Sequence, residues 1–276
     1  MNIYISFDME GIAGIDRFSD EIKQTKRYSD AIHAHVRAVI EGIQHSSRNK
    51  EVERITIADS HAEGKNLDYL LLSEMDPRIE LISGYPRKDF MMTGVEGHDI
   101  IIFLGYHAGS GHHHGNMNHS YSTHFHRVTV NDIKVSEAMI NQIVAKDYKV
   151  PVGLVIGDSG LHGQLILEGY MPYVEYVVTK ESFGHNAVRH KNFALLRREI
   201  IEKVDTVLSK DFRSLPLGDI YGPYRVVVET NRTLHADKVE IVPGISRLDG
   251  YRVGFTADTG IEVVDTLMTL EAMCRV

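Results

Sequence analysis

The sequence predicts an α/β fold with a mostly parallel sheet, followed by a smaller C-terminal α+β lobe. Three observations carry this. Short β-forming runs alternate with helical periodicity through roughly the first 180 residues. The runs 100–106 (IIIFLGY) and 151–157 are almost wholly apolar, as strands covered on both faces should be. After residue 180 the alternation gives way to a charged helical stretch, a Pro/Gly-rich passage and further strands. The expected division is therefore residues 1–180 as a metal-binding α/β domain and residues 181–276 as the smaller lobe.

Taken in order, residues 2–7 alternate β-formers and end at Asp8, so they read as a strand. Residues 25–46 place Ile32, Val36, Val39, Ile40 and Ile43 at helical spacing, which predicts an amphipathic helix. A strand over 54–58 runs into the loop DSHAEGKN and a short helix near 67–75. Strands are expected over 79–83 and 100–106, and over 125–135 with a turn at Asn131-Asp132. Residues 137–146 read as a helix, and 151–157 and 174–178 as strands. The later part is expected to hold a helix over 187–208, strands such as 224–229, and a final helix over 260–273.

Composition narrows the function classes. Net charge is −8 without a basic stripe, which argues against a nucleic-acid partner. The single cysteine, Cys274, excludes an internal disulfide framework, so any zinc must be held by nitrogen and oxygen. No apolar run reaches the roughly 18 residues that would span a bilayer. The start, MNIYISFDMEG, lacks a signal-peptide pattern, and a cytoplasmic location is expected.

Six of the fifteen residues from 112 to 126 are histidine, which points to a metal or to proton transfer. Groups that do chemistry gather at the carboxyl ends of parallel strands. The strand ends here carry Asp8 and Glu10 in SFDMEG, Asp59 and His61 in ADSHAEG, and His107 in FLGYHAG. Glu137 opens the helix after these strands. Asp8, Glu10, His61, His107 and Glu137 exceed what one hydrolytic zinc needs and suit two zinc ions sharing a carboxylate. Asp8 is the natural bridge. Glu10 and His61 would complete one metal, His107 and Glu137 the other, and His119 would stay free to move a proton or polarise a carbonyl.

Other residues have plainer readings. Asp59 either orients His61 or caps a turn. His112, His113 and His114 read as a solvated loop rather than as ligands, and His124 and His126 as an exposed strand face. Lys180 reads as a solvated strand-end lysine, with a contact to a substrate carboxylate as the alternative. Met91 and Met92 are expected in the core.

The ordered motifs DMEG, DSH, GYHA, MNHS and a Glu opening a helix before VPVGLVIGD resemble the zinc D-aminopeptidase family from the N-terminus to about residue 180, and weakly beyond. That resemblance implies a Rossmann-like domain with a smaller lobe and two zinc ions per subunit. It implies Asp8 as the bridging ligand, Glu10 and His61 on one zinc, His107 and Glu137 on the other, and His119 as the catalytic histidine. It further implies a homodecamer that admits short peptides, hydrolysed at the N-terminal residue by a zinc-activated bridging water. The triple histidine and the SEAMINQ segment depart from the family pattern beside the site. Competing expectations are a di-metal amidase or other hydrolase, and a non-enzymatic metal-binding protein using His112, His113 and His114.

Overall fold

A computed structural model describes residues 1–18 and 26–275. Its centre is a six-stranded parallel sheet built from β1 (Asn2–Phe7), β2 (Arg54–Asp59), β3 (Ile79–Ile82), β4 (Ile100–Tyr106), β7 (Val152–Gly157) and β8 (Glu175–Val178). The spatial order is β3-β2-β1-β4-β7-β8, with every neighbouring pair parallel. This is the doubly wound order of Rossmann-like folds, in which the direction of winding reverses between β1 and β4.

Alternate residues of each central strand serve opposite faces. Ile3, Ile5 and Phe7 pack with Ile32, Val36, Val39 and Ile40 of helix α1 (Lys26–His45), and with Ile200, Val204 and Val207 of α5 (Phe193–Leu208). Burial of each such aliphatic side chain contributes roughly 1.5–3 kcal/mol. The predicted stripe, more than helix propensity, therefore holds α1 on the sheet. Thr25, the first residue of that predicted helix, lies outside the described residues. On the other face Tyr4, Phe103 and Tyr106 meet Ala138, Met139 and Ile143 of α3 (Glu137–Asp147).

A second, five-stranded antiparallel sheet lies against that face through the same core. It is formed by β5 (Phe125–Val130), β6 (Ile133–Lys134), β11 (Tyr224–Thr230), β12 (Ser246–Arg247) and β13 (Arg252–Ala257), ordered β12-β13-β11-β5-β6. Asn131 and Asp132 both have positive φ, 51° and 67°, so the predicted turn is the tight hairpin joining β5 to β6. This sheet thus combines strands from before and after residue 180, while α5, from after it, packs on α1. The C-terminal helix α7 (Gly260–Arg275) packs between α3 and the antiparallel strands, beside α6 (Thr233–Val239).

One expectation needs correction. The helix predicted over 187–208 begins only at Phe193, because Asn192 caps it by accepting from the amides of Ala194 and Leu195. The residues before it form β10 (Ala187–His190), a hairpin with β9 (Lys180–Gly184). Two further short helices, α2 (Tyr69–Met75) and α4 (Ser159–His162), follow β2 and β7 and are capped by Asp68 and Asp158. Among the described residues no helix is long and apolar enough to cross a membrane.

Candidate metal centre

The reversal between β1 and β4 opens the sheet edge where the predicted ligands collect. Two glycines let the chain close up there. A Cβ on Gly105 would lie 2.0 Å from the Asp8 carbonyl oxygen, and one on Gly11 would lie 2.0 Å from that of Tyr106. Gly105 also has φ +83°, which favours glycine. Without side chains at these points, Asp8 N bonds Leu104 O at 2.7 Å and Gly11 N bonds Gly105 O at 2.6 Å. The residues after β1 are thereby pinned beside the end of β4, which carries His107.

Asp8, Glu10, His61, His107 and Glu137 are all buried and converge at this edge. His61 Nδ1 lies 3.3 Å from Asp8 Oδ1 and 3.0 Å from Glu10 Oε2. His107 Nε2 lies 3.5 Å from Asp8 Oδ2 and 3.5 Å from Glu137 Oε1. The two oxygens of Asp8 therefore face different histidines. Tetrahedral zinc ligands at 2.0–2.2 Å from the ion stand roughly 3.4 Å from one another. The observed spacings bracket that value. Asp8 Oδ2 and His107 Nε2 have no hydrogen-bond partner among the described residues although both are buried. A shared divalent cation would satisfy both, so the donor set fits metal ions. Three groups meet a ligand-distance test among the described residues: Asp8–Glu10–His61, Asp8–His107–Glu137, and Glu10–His107–His119.

The electrostatics agree. Burial, and then the nearby Glu10 charge, push the Asp8 carboxyl well above its usual range. Burial also opposes charge on Glu10, but His61, followed by His107 and His119, outweighs it and holds Glu10 well below its usual range. Burial works against a proton on His107, yet Glu137, Glu10 and Asp8 draw its pKa up to about 10.

Neighbouring groups fix the ligands. Nδ1–H of His107 donates to Ala108 O at 2.9 Å, leaving Nε2 to face the carboxylates. The amide of Tyr121, a residue with positive φ (59°), donates to Glu137 Oε1 at 2.7 Å. Its phenol donates to Asn141 Oδ1, and Asn141 donates to the hydroxyl of Tyr106, which is 2.7 Å from Ser6 Oγ. Asp59 accepts from Asn66 N, Asn66 Nδ2 and Leu67 N, so it folds the loop that carries His61. That is the turn-cap reading of Asp59.

His119 joins the cluster. Its ring stacks on His107, with centroids 4.4 Å apart and planes 13° from parallel. Nδ1–H donates to Met117 O at 2.8 Å, which leaves Nε2 unprotonated, 3.7 Å from Glu10 Oε1 and 3.5 Å from Glu137 Oε1. Burial, then the charge on His107, lowers its pKa.

Lys180 is not a solvated strand-end residue. It is 1% exposed, and its ammonium donates to the backbone carbonyls of Glu10 and Ile15. Thr179 beside it donates to Gly11 O. Together they tie the segment after β1 to the end of β8. Neither reading of Lys180 from sequence foresaw this, because the contact joins residues 170 positions apart. Sequence reasoning also missed the residues that close the cavity over the ligands. That cavity, about 260 Å³, is lined by Phe18, Phe90, Tyr121, Met268, Glu271 and Arg275 as well as by Asp8, Glu10, His61, His119 and Glu137. The last helix carried no signal of this role.

The triple histidine stays apart. His113 and His114 are exposed and touch each other at 3.7 Å between ring centroids, and His114 bonds Phe183 O. His112 lies over the turn at Gly160 and Gly163, 4.0 Å from Glu168. None of the three enters a candidate metal group among the described residues.

Comparison with known proteins gives the chain's relatives. The chain is 29% identical over 280 residues to a D-aminopeptidase of Bacillus subtilis (strain 168), covering 99% of this chain and 95% of that one. Its fold matches that of a Zn-dependent D-aminopeptidase, DppA from Bacillus subtilis, described as a self-compartmentalizing protease. The TM-score is 0.88 at 24% identity, over 100% of this chain and 98% of that one. Residues 1–269 match the peptidase family described as D-aminopeptidase, and the chain belongs to that family.

Proposed function

We propose that this chain is a zinc-dependent aminopeptidase that hydrolyses the N-terminal residue of short peptides, those beginning with a D-residue included. The observation that carries this reading is Asp8, whose two oxygens face His61 at 3.3 Å and His107 at 3.5 Å. That arrangement suits a bridge between two ions, with Glu10 and His61 on one and His107 and Glu137 on the other. Two zinc ions, when bound, would polarise the scissile carbonyl and make a water acidic enough to attack near neutral pH.

The chain's own groups do the rest. His119 turns Nε2, the ring nitrogen not engaged with Met117 O, to the cavity over the ligands, and burial lowers its pKa. It takes a proton as the nucleophile attacks and returns it to the leaving amine. Phe18, Phe90 and Met268 give the cavity an apolar wall beside the ligands, against which a substrate side chain can pack.

A homodecamer enclosing these sites is part of the same proposal, drawn from the family and from the self-compartmentalizing relative. Exposed apolar side chains at Tyr69, Leu70 and Leu71 on α2, and at Ile241, Leu248 and Tyr251 beside β12, offer surface for subunit contacts.

The test couples metal analysis of the purified protein to hydrolysis of paired L- and D-aminoacyl amides. About two zinc ions per chain are expected, with turnover abolished by a chelator and restored by zinc. Absence of any cleavage by the zinc-replete protein would refute the reading. Sedimentation in the same buffer measures the assembly.

A further inference from the structure

The cavity over the metal ligands has two walls of different origin. One is the strand-end cluster already described. The other comes from α7, which contributes Met268, Glu271 and Arg275. Glu271 is 3% exposed. One of its oxygens accepts from Arg275 Nε, and the other, Oε2, is buried with no hydrogen-bond partner among the described residues. Of the groups lining the cavity, only Asp8 and Glu271 have an orphaned oxygen among the described residues. The metal ions account for Asp8. Among the described residues nothing accounts for Glu271, and a carboxylate oxygen left unpaired in a buried position is costly.

A fixed anionic acceptor needs a donor of positive charge. Arg275, the one guanidinium lining the cavity, is already spent on the opposite oxygen, where it sets the orientation of the carboxylate. A small ligand that brings its own ammonium completes the pair. A peptide N-terminus is such a ligand: a primary amine with a pKa near 8, protonated at neutral pH and offering three donors. We infer that Glu271 binds the α-ammonium of the substrate, an inference that rests on the aminopeptidase reading and makes Glu271 its specificity determinant.

The consequences follow from geometry. With the scissile carbonyl at the metal ligands and the ammonium at Glu271, only the residue carrying both groups on one carbon can react. Internal peptide bonds and N-acylated peptides lack the ammonium and lose the contact. Two of the four substituents of the α-carbon are then fixed, so the cavity walls choose between side chain and hydrogen at the other two, and with them the handedness of the substrate.

The test uses the zinc-loaded protein and a matched pair of chelating ligands, alanine hydroxamate in both enantiomers and propionohydroxamate, which differ only in the amine. Calorimetry should show the wild type binding one or both amino ligands at least about tenfold more tightly than propionohydroxamate, the scale of a charge-assisted hydrogen bond. Glu271→Gln should erase that ratio while zinc content and affinity for propionohydroxamate stay at wild-type levels. Glu271→Asp, which keeps the charge but withdraws it by one methylene, should give an intermediate ratio and stands in should the Gln variant fold poorly. An unchanged ratio in a folded Glu271 variant overturns the inference, even where the wild type cleaves aminoacyl amides. A wild type that cleaves no aminoacyl amide defeats the aminopeptidase reading itself, and the inference with it.

Discussion

Two pairs of stacked or touching histidines lie only a few residues apart in this chain, and they have different fates. His107 and His119 stack 4.4 Å apart over three buried carboxylates. His113 and His114 touch at 3.7 Å on the surface, where His114 bonds the backbone carbonyl of Phe183. The denser run of imidazole in sequence is the one that enters no candidate metal group among the described residues. Imidazole supplies only part of a metal site; the carboxylates must arrive from distant strand ends, and burial must strip water from all of them together.

That contrast can be broken by experiment. Asp8→Ala should have the largest effect, removing the shared oxygen ligand, with zinc content falling towards zero and turnover to background. Retention of more than one zinc per chain by atomic emission would contradict the bridge. Next comes His119→Ala, expected to keep its zinc while kcat falls about 10²–10⁴-fold, the usual scale for an acid–base group. Unchanged turnover in this variant removes His119 from the mechanism.

Lys180→Met should act through position alone. Releasing the carbonyls of Glu10 and Ile15 loosens the segment that bears Glu10, and zinc affinity should fall about 10–100-fold, as for other groups that orient ligands. On the two-ion proposal, the zinc-binding step in a chelator titration that depends on Glu10 should shift most. If both steps stay put, Lys180 supports the fold and not the site.

Proton competition gives a smaller, graded effect. His107 in the metal-free protein has its pKa drawn up to about 10 by Glu137 despite burial. Below that pH the ring is protonated, and binding a cation must displace the proton. Affinity should therefore fall as pH falls, by about tenfold per unit for each proton displaced. Calorimetry in buffers of different ionisation enthalpy counts the protons. Replacing His112, His113 and His114 together with Ala should do least, leaving zinc content and kcat/KM within about twofold, since none of the three enters a candidate metal group among the described residues. A large loss of zinc there would transfer the site to the loop and favour the non-enzymatic reading.

Much of this was legible in the sequence because the parallel α/β plan is local and periodic. Alternation in the run 2–7, the apolar IIIFLGY and the stripe from Ile32 to Ile43 each reflect which face must be buried, and each reappears as β1, β4 and α1. The strand ends then follow, and Asp8, Glu10, His61 and His107 with them. Where local signals compete, the reading slipped. Asn192 starts at Phe193 a helix that the charged stretch alone predicts from residue 187. Lys180 looked exposed because lysine usually is, and only the return of the chain beneath Glu10 buries it.

The sequence by itself determined the periods of burial and hence the order of strands and helices, and it placed carboxylates and imidazoles where parallel strands end. Only the tertiary structure decided which of them meet. The close approach at Gly11 and Gly105, the clamp from Lys180 and the wall supplied by Glu271 on α7 join residues about 95 to 260 positions apart. Such contacts leave no periodic trace in a chain, because they arise from how whole layers pack and not from how neighbouring residues alternate.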